Sequence, residues 1–232
     1  MAELTVKSIA YITNDYSGKF GIPRQSGLAA VESVIVFEPE YRNPDALRGL
    51  ENYSHLWLLW QFSENIRTTA QENGGWNPTV RPPKLGGNTR MGVFATRSPY
   101  RPNPIGLSSV ELVRIEWDTP KGAVLVVRGA DLMNGTPIFD IKPYLPYTDA
   151  HPEANCGFAL TETPLTVECS PALLSRLPET KRDGLLSALA QDPRPAYQND
   201  PDRVYAMPFG GFTVSFTVDG TVLTVQDICE GE

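Results

Sequence analysis

Short apolar runs, each closed off by turn residues and rarely separated by helices, restrict this chain's fold most. Leu4 to Thr13 alternates apolar and polar residues as a half-buried strand does. Ser33 to Phe37 is a short strand candidate, and His55 to Phe62 (HLWLLWQF) reads as a buried one. Met91 to Thr96, Ser108 to Trp117, Ala123 to Arg128 and Ile138 to Ile141 complete the series. Among these only Asn43-Pro44 opens a brief helical turn, running through Leu50, and Ser63 to Asn88 reads as irregular. Short strands at near-regular spacing predict a mainly β sandwich or barrel. Without strand–helix alternation, a doubly wound parallel sheet is disfavoured.

The pattern shifts after Lys142. PYLPYTDAHPEANCG reads as a linker, and Arg182 to Ala190 as a short helix. Arg203 to Met207, Phe212 to Val218 and Val222 to Asp227 read as strands. Asp219-Gly220 between the last two signals a type I′ hairpin, whose central residues both take positive φ. Two domains are therefore expected: residues 1–148, and a small α+β unit over 149–232.

The chain's 232 residues, 41% of them hydrophobic, suffice for one sizeable core plus a smaller one. No apolar run reaches the roughly 18 residues of a membrane span, and Met1 to Ala10 lacks the apolar stretch of a signal peptide. A soluble, cytoplasmic protein is expected. Cys156, Cys169 and Cys229 lie far apart, which argues against a disulfide framework or a CxxC metal clip. The tight three-cysteine cluster of radical S-adenosylmethionine chemistry is absent too. With only His55 and His151 as histidines, metal-free chemistry is expected.

A net charge of −7 looks wrong for a nucleic-acid partner, but the average hides an asymmetry. Between Asn73 and Val110 there is no Asp or Glu, while Arg81, Lys84, Arg90, Arg97 and Arg101 supply five positive charges. Local clusters, rather than totals, decide which surface meets phosphate. Within this stretch, Pro82-Pro83 and Arg101-Pro102-Asn103-Pro104 are stiff without ladder hydrogen bonds. Gly86-Gly87 lets the backbone approach something flat or charged. Rigid loops carrying Arg, Asn and Ser hold a ligand at low entropic cost. The same composition also suits an ordinary rigid turn network.

The stretch GVFATRSPYRPNPIGLSSVEL closely resembles the signature of the TsaA-like (YaeB/TrmO) family of tRNA (adenine-N6)-methyltransferases. PRQSGL, RGLENYSHLWLL, GGWNPTVRPPKLGGN, DLMNGTPIFDIKPYLPY and AQDPRPAY resemble further family blocks in family order. The resemblance implies an N-terminal antiparallel β-barrel that binds S-adenosylmethionine, a small α+β C-terminal domain and a homodimer. It implies tRNA as substrate, methylated at N6 of N6-threonylcarbamoyladenosine beside the anticodon. Consistent with a non-Rossmann cofactor site, no G-x-G-x-x-G follows a strand here.

By the same resemblance the cofactor is expected against Gln25, Ser26 and Gly27 and against Phe62, Ser63 and Glu64. Arg97, Leu107 and the turn Gly129, Ala130, Asp131 and Leu132 would complete its pocket. Arg97 suits the methionine carboxylate bidentately, and Asp131 either the ribose hydroxyls or the role of base. Asp192, a second candidate base, shares a Pro-braced turn with Arg194 and Tyr197, which suit the threonyl carboxylate and a stacked base. Arg81, Lys84, Arg90 and Arg101 are the candidates for tRNA phosphates.

Other residues read more plainly. His55 is expected as a core or interface histidine, Trp57 and Trp60 as core or interface, and the cysteines as inert small hydrophobes. Asp140 and Lys142 read equally as site-lining or as a solvated strand face. A small-molecule methyltransferase and a non-enzymatic RNA-binding barrel are the alternative functions. The acid-free basic stretch favours RNA.

Overall fold

The computed structural model describes residues 5–63, 77–159, 163–195 and 198–231. Among these, six antiparallel strands close into a barrel in the order β1-β2-β7-β6-β3-β8. They are β1 (Ala10–Thr13), β2 (Glu32–Phe37), β3 (His55–Gln61), β6 (Ile105–Glu116), β7 (Val124–Arg128) and β8 (Pro137–Pro143). Closure comes from β8 pairing back onto β1, with Ala10 opposite Ile138. Closing the sheet leaves no edge for another chain to extend. Along β3 the alternation places Leu56, Leu58 and Trp60 inside and leaves Trp57 half-buried outside. Two short strands, β4 (Thr79–Val80) and β5 (Met91–Gly92), pair alongside.

A second sheet is ordered β10-β11-β12-β9, from β9 (Thr166–Glu168), β10 (Tyr205–Phe209), β11 (Phe212–Asp219) and β12 (Val222–Glu230). Among the described residues α1 (Pro146–Asp149) follows the barrel, and α2 (Pro171–Leu174) and α3 (Glu179–Ala190) accompany the second sheet. Helix α3 buries Gly184, Leu185, Ala188 and Leu189 on one face.

The mainly β architecture matches the expectation, and several boundaries move for physical reasons. β1 is shorter than Leu4 to Thr13 because its ladder with β2 ends where Ala10 meets Phe37. β6 is longer than expected because it serves two partners in turn, β3 up to Glu111 and β7 from Glu111 onward. Met91 to Thr96 is not one strand: Thr96 donates both its amide and its hydroxyl to the Val93 carbonyl, winding residues 93–95 into a 3-10 turn. The β11–β12 hairpin turns on Gly220-Thr221, with positive φ at Gly220 alone, a type II′ pattern rather than the expected I′. The I′ pattern instead occurs at Gly210-Gly211, between β10 and β11, with φ of 58° and 89°. In the expected linker, Asp149 of α1 accepts from the Trp57 indole at 2.8 Å, docking the helix on the barrel.

Two hydrophobic cores result. One fills the barrel around Ile12, Ile35, Leu58, Leu125 and Ile138. The other joins α3 and the second sheet, and also takes in Tyr16, Ala29 and Val31 from the loop between β1 and β2. A domain division after residue 148 remains a proposal for chain order. The packing gives part of the β1–β2 loop to the second core.

Leu185 is fully buried at that junction. Leu185→Ala is expected to lower unfolding stability by about 2–5 kcal/mol, the usual cost of a large-to-alanine core truncation. Urea denaturation measures it, and a loss below about 1 kcal/mol would mean that α3 is not docked on the loop.

Candidate functional site

The loop between β1 and β2, the end of β3, the start of β6 and the turn after β7 converge on one cleft of about 520 Å³. Its floor depends on a missing side chain. A Cβ on Gly106 would lie 2.2 Å from the Trp60 ring, so only glycine lets the indole lie flat against β6. Phe62 packs beside Trp60 with ring centroids 4.3 Å apart. The Trp60 indole N–H donates to Ser108 Oγ at 2.9 Å, and that hydroxyl donates to Asp131 Oδ1 at 2.5 Å.

Asp131 is the one acid lining the cleft among the described residues. Burial pushes its carboxyl above the usual carboxylate range, because the anion loses water. The Ser108 hydroxyl, the positive charge of Arg97 and the Ser26 amide oppose that shift without cancelling it. Arg97 is exposed at the cleft wall and donates to the Gln25 side-chain oxygen. Leu107 offers an apolar face that is 57% exposed.

Behind the cleft, the β1–β2 loop and the β7–β8 turn lie back to back. The Gly27 amide donates to the Gly129 carbonyl at 2.8 Å. A Cβ on Gly129 would lie 3.1 Å from Gly27 Cα, and both glycines have positive φ.

Of the expected cofactor residues, the structure brings Gln25, Phe62, Ser63, Arg97, Leu107 and Asp131 to the cleft. Ser26, Gly27 and Gly129 line a separate hollow beside it and hold the loop from behind. Ala130 and Leu132 do not face the cleft: their side chains are buried in the barrel core. Glu64 lies outside the described residues. Lys19, Ile22, Trp60 and Met133 line the cleft without having been picked from sequence. Loop residues such as Lys19 and Met133 carry no pattern that could have flagged them.

The expected phosphate contacts divide. Arg81 is exposed, and Arg90 is exposed with its guanidinium on Thr79 Oγ1 at 2.8 Å. Lys84 lies in a 3-10 turn over Pro83–Leu85. Arg101 is not a free phosphate contact: its guanidinium donates to the carbonyls of Thr96 (3.0 Å) and Ser98 (3.3 Å), bracing its own loop. Arg194 likewise turns inward. It is only 8% exposed and grips both oxygens of Asp192 at 2.8 and 2.9 Å. Its Nη1 is buried and has no hydrogen-bond partner among the described residues. Tyr197 lies outside them.

Of the core and interface readings of His55, exposure excludes the core: its Nδ1 lies 3.0 Å from the Ser54 hydroxyl. Cys156 and Cys229 are exposed rather than packed, while burial pushes the half-buried Cys169 thiol up. Asp140 and Lys142 pair with each other at 2.9 Å on an exposed strand face. Among the described residues no group of three His, Cys, Asp or Glu is placed to hold a metal ion, and no helix is long and apolar enough to cross a membrane.

The tRNA-methyltransferase O N-terminal domain model matches residues 11–150, and the TrmO C-terminal domain model matches residues 162–231. The chain belongs to the tRNA-methyltransferase O family. It is similar to the tRNA (adenine(37)-N6)-methyltransferase of Escherichia coli, at 41% identity over 94% of each chain. The Eikenella corrodens enzyme of the same name is 45% identical over 76% of this chain and 97% of its own. A crystal structure of TrmO from P. aeruginosa superposes with a TM-score of 0.78 at 33% identity, covering 100% of this chain and 99% of that one. As a TrmO family member the chain is an S-adenosylmethionine-dependent methyltransferase.

The cleft suits that cofactor by size and by donor set. Ligand sites of this kind span about 300–1,000 Å³. An arginine for a carboxylate, a buried carboxylate for hydroxyls and an apolar wall all open onto this one.

The raised Asp131 pKa also has a consequence for stability. The native state holds a proton that the unfolded chain releases at lower pH, so raising pH through that interval destabilises the fold. Asp131→Asn keeps the shape and removes the charge. Its melting temperature relative to the parent should rise as pH goes from 4 to 8, and a pH-independent difference would contradict a burial-penalised carboxylate.

Proposed function

We propose that this enzyme methylates N6 of N6-threonylcarbamoyladenosine at position 37 of tRNA, next to the anticodon. The position is the one named for its relatives. The observation that carries the reading is the meeting of Arg97 and Asp131 in one cleft, beside an acid-free, arginine-bearing loop.

The cofactor, when bound, supplies a methyl group on a cationic sulfur. The protein's task is then chiefly to hold and align, because displacement at a methyl carbon needs an in-line approach at near-attack distance. Arg97 pairs with the methionine carboxylate, and Gln25 fixes the angle of its guanidinium. Leu107 and Phe62 give the apolar parts a surface that excludes water.

The nucleophilic nitrogen carries an acyl group, so it is weakly basic and must lose its proton as the bond forms. Asp131 is the better base of the two candidates, because both oxygens of Asp192 are already taken by Arg194. Burial brings the Asp131 pKa toward the working pH, where a general base is most effective. Asp131 also suits the ribose hydroxyls, and the two roles compete for the same oxygens. Arg194, oriented by Asp192, is the candidate for the threonyl carboxylate through its buried, unpartnered Nη1.

Incubation with tRNA from cells with and without the threonylcarbamoyl modification tests the substrate. Mass spectrometry of nucleosides should find the added methyl only on the modified base, and equal methylation of both pools would overturn the assignment. Arg97→Ala is expected to weaken cofactor binding by roughly 10- to 100-fold in calorimetry, as loss of a charged hydrogen bond does. Arg194→Ala should keep cofactor binding and lose turnover, and the reverse pattern would mean that the two sites are interchanged.

A further inference from the structure

We propose that Ser108 is a positioning residue: without meeting the substrate, its hydroxyl, aimed by the Trp60 indole, holds Asp131 ready to accept a proton. The catalytic use of that hold rests on the reading of Asp131 as the base. Ser108 is 1% exposed and stands behind the cleft, whereas Trp60 and Asp131 both line it.

The buried positions at the start of β6 are Gly106, Ser108 and Val110, and Ser108 lies opposite Leu58 of β3. A hydroxyl among such neighbours is costly unless its hydrogen-bonding groups are used. Both kinds are used here. The Trp60 indole donates to Ser108 Oγ at 2.9 Å, and Ser108 Oγ donates to Asp131 Oδ1 at 2.5 Å.

The first member of this chain fixes its polarity. An indole N–H only donates, so Ser108 cannot turn its single proton back toward Trp60. That proton is left to Asp131 Oδ1, and a hydrogen bond to the charged form favours ionisation. Burial raises the Asp131 pKa, and the Ser108 hydroxyl opposes it ahead of the Asp131 amide, Arg97 and the Ser26 amide. As the new N6–carbon bond forms, the N6 proton passes to the Asp131 carboxylate. The electron pair of the broken carbon–sulfur bond stays on sulfur.

Other charges around the carboxyl are independent of Ser108. Lys19, Arg24, Arg97 and Arg101 line the cleft. The Tyr16 phenol comes near from the β1–β2 loop and stays neutral, because burial, Asp15 and Asp131 all raise its pKa. Asp15 itself pairs with Lys181. A change at Ser108 leaves all of these side chains in place.

The test uses Ser108→Ala and Ser108→Cys in the full-length enzyme. The thiol nearly matches the hydroxyl in size but is a weaker donor, and it serves if alanine costs the fold. The first measurement is kcat on threonylcarbamoyl-modified tRNA at saturating S-adenosylmethionine, from about pH 5 to 9. The acidic limb of Ser108→Ala is expected about one pH unit above the parent's, the size of one lost hydrogen bond to a charged group. Below the limb this is a loss of roughly 10-fold, which narrows as pH rises. Ser108→Cys should shift the same way by less.

The second measurement needs no turnover. The melting temperature of Asp131→Asn relative to Asp131 is followed against pH, in the parent and in each Ser108 background. A carboxyl pKa raised further by loss of the hydroxyl extends the rise of that difference to higher pH, by about one unit. A purely structural Ser108 would lower both melting temperatures alike and leave the difference unmoved.

If neither the limb nor the melting difference shifts, the proposal is overturned. A shifted limb with an unmoved melting difference also overturns it, since Ser108 would then act through a group other than Asp131. If the melting difference shifts while the limb does not, the hold on Asp131 stands and the reading of Asp131 as the base fails.

Discussion

The Gly27 amide meets the Gly129 carbonyl at 2.8 Å, and this backbone contact underlies much of the site. Glycine suits both positions, since both take positive φ and a Cβ on Gly129 would press on Gly27 Cα at 3.1 Å. The contact sets the loop carrying Gln25 and Ser26 against the turn carrying Asp131. Ser26 can then offer its amide to the Asp131 carboxylate, and Gln25 can reach Arg97. Arg97 and Asp131 are thus oriented by one loop, which neither the barrel's hydrophobic pattern nor its ladder bonds would place.

That loop is held from its far side by the second core. The Ala30 amide donates to Ser187 Oγ at 2.8 Å, Asp15 pairs with Lys181, and Val31 packs on Gly184, all three partners being on α3. Ala29 and Val31 are buried among α3 and the second sheet. The same helix runs into the turn where Asp192, at φ 48°, holds Arg194. One short helix therefore sets both the loop behind the cleft and the turn that carries the second candidate site. The C-terminal unit therefore supports the cleft from behind, although among the described residues none of its own lines it.

Short apolar runs closed off by turn residues made the barrel strands legible: β3 alternates between the barrel interior and a half-buried outer face, and β7 is buried throughout Val124 to Val127. The motif loops were legible as stiff and basic from their prolines and arginines. Side-chain direction was not. Arg101 and Arg194 look like free cations in a sequence, yet one bonds to carbonyls of its own loop and the other to a carboxylate two residues away. Ala130 and Leu132 flank Asp131 in the chain, but their side chains are buried in the barrel core, away from the cleft. Type I′ geometry fell on Gly210-Gly211 rather than Asp219-Gly220 because register, and not the dipeptide alone, decides which residues are central.

Asp131 shows what the arrangement costs and why it persists. A carboxylate placed where burial penalises its charge weakens the fold at neutral pH, and a neutral side chain would be the more stable choice. Trp60 and Ser108 form a relay that limits the penalty: the indole fixes the hydroxyl rotor, and the hydroxyl proton points at the carboxylate. The relay exists only because Gly106 lets the Trp60 ring lie against β6. A glycine, an indole and a serine are thus spent on keeping one acid ionisable within an apolar wall. The close fit of the Trp60 ring against Gly106 thus accounts for the glycine through the Trp60–Ser108–Asp131 chain it permits.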